Sequence, residues 1–146
     1  MSQVLNLFNA VGPEQFTATV CQMAPYFSSI QPSLTVLRPG YAEATVPLRR
    51  EVTNHLGTMH AIALCNAAEL VAGTMTDVSV PEGYRWIPKG MSVEYLAKVK
   101  TDIRAVSDGS GIDWTLTGDQ VVPVEVFDTA GTKVFTARIT MYVKAS

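Results

Sequence analysis

One segment restricts the fold more than any other. Residues 59–72 are almost wholly apolar and small, including Ala61, Ala63, Leu64, Cys65, Ala67, Ala68, Leu70, Val71 and Ala72. A helix that is apolar nearly all round has to be covered on every side. Its small side chains would also let other backbones approach closely. Thr58 is the expected N-cap, and Gly73 is the expected stop. The chain must therefore supply a cover for this helix, and it must accommodate the one carboxylate within it, Glu69.

The cover is written in the flanking residues. Residues 33–48 read as strand, turn, strand, with Arg38-Pro39-Gly40-Tyr41 as the turn. Pro47 implies that the second strand is ending or lies on an edge. After the helix, residues 86–96, 102–106, 121–127 and 133–143 read as about four long strands, with a Gly/Asp/Ser-rich loop at 107–111. Asp128-Thr129-Ala130-Gly131 gives a hairpin signal between the last two. Val134, Thr136 and Arg138 alternate with Phe135, Ala137 and Ile139, as in an antiparallel sheet with one covered face. Ahead of all this, Gly12-Pro13-Glu14 reads as a helix start. Phe16, Val20, Met23 and Phe27 make one apolar stripe, read as packing surface, and Pro25 ends or kinks the helix. The expected architecture is α+β, with long antiparallel strands wrapped round one buried helix. With 146 residues, no linker and no internal repeat, the chain reads as one domain over 1–146.

Composition removes several function classes. Hydrophobic residues are 47% and charged residues only 16%, which excludes disorder. So little charge leaves apolar surface to be buried against another copy of the chain. The 11 Lys and Arg are spread out, with no basic stripe for nucleic acid. Cys21 and Cys65 sit in apolar helical patterns and read as small buried hydrophobes in a reducing compartment. No Cys/His cluster has ligand spacing, and no glycine-rich phosphate loop precedes a helix, so neither a metal nor a redox cofactor is expected. The N-terminus has no secretory pattern, and no apolar run is expected to span a bilayer. A cytoplasmic protein, bound to neither membrane nor nucleic acid, is the expectation.

Glu69 needs a reason for its place. An ionised carboxylate is costly to bury unless it is paired or hydrogen-bonded. A strand Lys or Arg, or Asn66, could satisfy it, or it could be functional. The start of the same helix offers a second element. Free backbone amides near His60, Ala61 and Ile62 favour negative charge and could polarise a carbonyl. Glu69 lies eight positions beyond Ala61, about 12 Å along the axis. One helix cannot bring both to a single carbon. If they cooperate, the carboxylate comes from a second copy, and a two-fold homodimer would then hold two identical sites at its interface.

Asn54, Gly57, His60 and Glu69 resemble the signature of hotdog-fold acyl-CoA thioesterases of the phenylacetate-pathway and 4-hydroxybenzoyl-CoA type. That pattern is Asn, two residues, Gly, two residues, His-Gly-Gly, with an acid nine residues after the His. Asn54 to His60 is six positions here and His60 to Glu69 is nine, so four positions match across sixteen residues. The resemblance implies a hotdog fold and hydrolysis of an acyl-CoA to free acid and CoA. It implies Glu69 as nucleophile or general base, with Asn54 placing water or thioester. The Ala61 amide would polarise the carbonyl, and His60 would orient the loop. No cofactor is implied, because coenzyme A enters as part of the substrate. Many hotdog proteins pair dimers into tetramers.

Two departures stand out. Ala61-Ile62 replaces Gly-Gly, which keeps the amides but narrows the approach past Gly57 and Ile62. Where some members carry a hydroxyl near the carboxylate, this chain has Gly73 and, on the next strand, Pro88-Lys89. Lys89 could replace that function, bind phosphate, hold Glu69 charged, or be a solvated lysine beside a bulge. Arg85, Lys98, Lys100 and Arg104 are candidates for CoA phosphates. Met59, Ile62, Tyr84, Trp86 and Met91 could line an acyl pocket or be ordinary core. Two other functions fit the same residues. One is a 3-hydroxyacyl thioester dehydratase using His55 and Glu69, although its Pro-rich turn is missing. The other is a non-catalytic acyl-thioester or ligand-binding protein.

Overall fold

The computed structural model describes residues 2–145. Six antiparallel strands form one sheet: β1 (Ser33–Arg38), β2 (Tyr41–Val46), β3 (Arg85–Tyr95), β4 (Ile103–Asp108), β5 (Gly118–Asp128) and β6 (Lys133–Lys144). Their spatial order is β1-β2-β4-β5-β6-β3. Helix α2 (Ala61–Ser79) packs across one face and touches every strand. Helix α1 (Gln3–Met23) and a 3-10 turn over Pro25–Ile30 close one end. Leu70, Val71 and Met75 of α2 are fully buried against Val46, Ala105, Val124, Phe135, Ile139 and Met141 of the strands. This is the expected wrap of long strands about one apolar helix.

The helix boundaries differ from the expectation at three places. Gly73 does not stop α2, which continues to Ser79. Met75, Thr76 and Val78 are buried in that extension, and packing outweighs the roughly 1 kcal/mol that a helical glycine costs. A Cβ on Gly73 would sit 3.1 Å from the Trp86 indole, so the glycine is there for close approach. The stop comes at extended Val80, just before Pro81. At the other end Thr58 is not the cap; His60 is, its Nδ1 accepting from the Ile62 amide at 3.0 Å. At the N-terminus, Pro13 does begin a helical segment, but another precedes it from Gln3, and the two meet at Gly12 (φ 83°, ψ 169°). That first segment is held by tertiary contacts: Leu5 is buried and Phe8 meets Phe16 edge-to-face at 5.3 Å.

Smaller corrections follow from packing. Val134 is buried along with Phe135, so the alternation in β6 begins one residue late. β4 extends through Ser107 and Asp108, the start of the expected loop. Pro47 marks the end of β2, which is an interior strand rather than an edge. Cys21 and Cys65 are half-buried, not core. Helix α2 is in fact long and apolar enough to cross a membrane by length and composition, and 67% of its most apolar window is buried inside the fold.

Strand β3 positions everything that follows. It pairs with β6 on one side, with a bulge between Pro88 and Gly90, and its other edge pairs with no strand among the described residues. Ile87 is 62% exposed, Met91 44% and Tyr95 53% along it, and Leu96 just beyond is 48% exposed. A long, unpaired, apolar edge is a liability unless something covers it.

Candidate active site

The loop before α2 is built around Asn54. Its Oδ1 accepts from the amides of Leu56 at 2.9 Å and Thr58 at 3.2 Å, and its Nδ2 donates to Thr58 Oγ1 at 2.9 Å. Gly57 takes φ 76°, a left-handed conformation that suits glycine, and donates its N–H to the Asn54 carbonyl. The Met59 amide then binds the Val99 carbonyl at 2.9 Å and the His60 amide binds Val52 at 2.7 Å. These bonds fix the entry into α2. His60 Nδ1 takes the Ile62 amide, so a neutral His60 carries its proton on Nε2. Among the described residues the Ala61 amide donates to no acceptor. It is half-buried beside Asn54, Tyr95, Leu96 and Lys98 in a recess of about 340 Å³. Next to that recess the Cys65 thiol lies 3.8 Å from the Tyr95 hydroxyl, and this contact raises the Tyr95 phenol above its ordinary value.

Glu69 lies elsewhere. It is exposed on α2, on the wall of a groove of about 420 Å³ between α1, α2 and the first residues of β3. Neither a strand cation nor Asn66 satisfies it, and among the described residues its carboxylate has no hydrogen-bond or salt-bridge partner. Asn66 instead donates to the Tyr26 carbonyl and Ser29 Oγ, each at 3.3 Å. The expectation that Glu69 is buried is therefore corrected: α2 is apolar around most of its surface, and Glu69 falls on the strip the sheet does not cover.

The structure thus separates the sequence-derived candidates into two groups. Asn54, Gly57 and Ala61 gather at the C-terminal end of β3, and His60 points to a different hollow with Glu51, Thr53 and Asn66. Glu69 gathers with Trp86 and Pro88 at the N-terminal end of β3. Ile62 is 52% exposed at the helix start, and His55 is exposed in the loop. Lys89 stands beside the bulge and reaches both oxygens of Asp119 at 2.9 Å, not Glu69. Arg104 pairs with Glu43 at 3.0 Å and lies over the Phe127 ring, while Arg85, Lys98 and Lys100 are exposed. Of the five apolar pocket candidates only Trp86 lines the groove; Met59 is buried core, Met91 lies exposed on the open edge, and Ile62 and Tyr84 lie outside the groove lining. Among the described residues no three His, Cys, Asp or Glu side chains gather as a metal would need.

Sequence reasoning missed the groove's other members. Thr74 and Asp77 share its wall with Glu69, and Asp77 Oδ1 accepts the Trp86 indole N–H at 2.9 Å. Their spacing of five and eight positions from Glu69 was the available signal, obscured by ending the helix at Gly73. Phe16, Val20, Met23 and Phe27, read as a packing stripe, all line the groove, and Met23 is 82% exposed.

Residues 12–143 match the family described as Domain of unknown function (DUF4442). The chain belongs to this family. A crystallised genomics target with no stated function is 61% identical to it over 99% of this chain and 97% of that one, with TM-score 0.91. A thioesterase from Haemophilus influenzae is similar at 16% identity over 82% of each chain, TM-score 0.73. A thioesterase family protein from Silicibacter pomeroyi is similar at 15% identity over 92% of this chain and all of that one, TM-score 0.76. No protein of curated function matches the sequence. At the low identities of the two thioesterases the likeness carries the fold, and this DUF4442 member has the hotdog fold.

Proposed function

We propose that this protein hydrolyses acyl-CoA thioesters at a site shared between two protomers. The observation that carries the reading is the split of the candidate residues along β3. Among the described residues, its N-terminal end holds an unpartnered carboxylate and its C-terminal end an unpartnered amide, on a strand with one open apolar edge. Antiparallel pairing of β3 with a second copy crosses those ends. Centred near Gly90, it would set Trp86 of one protomer beside the partner's Tyr95, and Glu69 beside the partner's Ala61. The same pairing covers Ile87, Met91 and Tyr95 and removes the open edge.

The chemistry then follows from the two groups. Glu69 attacks the thioester carbon or takes a proton from the water that does. Charge collects on the carbonyl oxygen, where the partner's Ala61 N–H stabilises it. The C–S bond breaks and the CoA thiolate leaves, taking up the proton that water gives up; where Glu69 is the nucleophile that water cleaves the acyl–Glu69 anhydride, and by either route the acid is released and the Glu69 carboxylate is regenerated. Asn54 acts by holding the loop that aims Ala61, since its side chain is committed to Leu56 and Thr58. Exposed Lys98 and Lys100, beside the Ala61 recess, and Arg85 supply charge for the CoA phosphates. The Asn-Gly-His…Glu spacing and the fold shared with proteins described as thioesterases support the same reading. The test is thiol release from a panel of acyl-CoAs by wild type and Glu69→Gln. Turnover cut at least about 100-fold in the folded variant is expected. Equal turnover by both would remove Glu69 from the mechanism, and none by either would remove the activity for that panel.

A further inference from the structure

We infer that the groove between α1 and α2 seats the acyl tail, and that the preferred substrate carries an unbranched aliphatic chain of medium length. This rests on the thioesterase reading for its chemistry, but the groove has its own signature. Four polar side chains line it: Thr19, Glu69, Thr74 and Asp77. Thr19 Oγ1 donates to the Gln15 carbonyl at 3.0 Å, and Thr74 Oγ1 to the Leu70 carbonyl at 2.8 Å. Asp77 Oδ1 is taken by the Trp86 indole at 2.9 Å. The Trp86 N–H is consumed by the same bond. Three of the four lining polar side chains are thus turned inward to their own protein, and Glu69 alone has no partner among the described residues. Such a surface offers a polar or headgroup-bearing ligand no free side-chain donor along its length. It offers an apolar chain a continuous wall, with a carboxylate at each end of its α2 side, Glu69 and Asp77.

The dimensions select the chain. On α2 the lining runs from Glu69 to Asp77, eight positions, or about 12 Å. At somewhat less than the ~1.5 Å of a carbon–carbon bond per link, that length takes on the order of nine links. The volume of about 420 Å³ lies at the lower end of ligand pockets. Asp77 is the α2 lining residue farthest from Glu69, so a longer tail would press methylenes against a carboxylate. Two features build the wall. Gly73 lets the Trp86 ring lie against α2, where a Cβ would come within 3.1 Å of it. The break at Gly12 lets Val4 and Leu7 from the first part of α1 face the groove together with Phe16, Val20 and Met23 from the second.

The experiment measures kcat/KM on acyl-CoAs from butyryl to hexadecanoyl, and on phenylacetyl-CoA, for wild type and Val20→Phe. Burying one methylene is worth about fourfold, so a rise of at least about 100-fold from butyryl to decanoyl is expected, with no further gain beyond. Val20→Phe, at a half-buried site on α1, should lower the ratio of the decanoyl value to the butyryl value at least tenfold. A flat chain-length profile, a preference for phenylacetyl-CoA, or an equal loss on both aliphatic substrates would overturn the tail seat while leaving the hydrolase reading in place. Binding is read separately with 1-decanol by NMR. Saturable movement of the Trp86 indole N–H signal, but not that of Trp114, is expected in wild type and is weakened in Val20→Phe. That result without hydrolysis of any thioester would keep the seat and sink the hydrolase reading. No decanol response would overturn the seat.

Discussion

If Glu69 and Ala61 act across an interface, two inactive variants should rescue each other. Ala61→Pro removes the amide proton, with a ring carbon taking its place on the nitrogen. Ala61 is the first residue of α2, where proline is favoured, and His60 before it already has the extended conformation (φ −63°, ψ 139°) that precedes a proline. Loss of one oxyanion donor costs about 100- to 1,000-fold in kcat. Glu69→Gln removes the carboxylate from the other half. Co-expressed in equal amounts and paired at random, about half of the dimers contain one chain of each kind. In each mixed dimer, the Glu69 of the Ala61→Pro chain meets the intact amide of the Glu69→Gln chain, and the second site is doubly defective. One working site in half of the dimers restores about a quarter of wild-type activity. The assay is thiol release by the mixture, with the two parents refolded separately as controls. Restoration should be far above the two residual activities combined. A mixture no more active than its parents, with mixed dimers demonstrated by mass, would refute the shared site.

Further perturbations address the interface and the fold. Met91→Asp would place two carboxylates near the centre of the proposed β3 pairing; loss of two half-exposed methionine contacts costs about 2 kcal/mol. Repulsion across about 5 Å adds about 3 kcal/mol. Sedimentation should show the dimer weakened on the order of a thousandfold, and an unchanged dissociation constant would mean that another surface pairs. Gly109→Ala should destabilise by about 1–3 kcal/mol because overpacking strains a filled core. Its new Cβ would stand 2.7 Å from Met75 and 2.9 Å from Trp114. Thermal unfolding at or above the wild-type midpoint would contradict that packing. Asp108 and Asp113 are held below the ordinary 3.8 by hydrogen bonds from Ser110 and Thr115. Because the folded state favours their charged forms, their contribution is present above pH 3.8 and is lost as pH falls through the lowered values. Carboxyl NMR titrations with midpoints at or above 3.8 would remove it.

The residues that local chemistry governs were legible in the sequence. The apolar run of α2, the alternation in β6 from Phe135 onward and the turns at Pro39-Gly40 and Thr129 to Gly131 each answer to a short-range rule, and each is in place. So was the Asn54-Gly57 loop, because a left-handed glycine and an Asn side chain bonding its neighbours are local events. The eight-position separation of Ala61 and Glu69 could also be read as incompatible with one reacting carbon. Tertiary structure decided the rest. Gly73 stops a helix in isolation but continues one when Met75 and Val78 have a sheet to bury against and Trp86 needs the space. The first half of α1 has little reason to be helical until Phe8 finds Phe16. Glu69 was expected to be buried because its neighbours in sequence are apolar. It is exposed because burial depends on which strip of the helix the sheet leaves open, and a one-dimensional pattern does not contain that strip. The groove it faces draws on α1, α2 and β3, which are distant in sequence and meet only when the sheet wraps the helix.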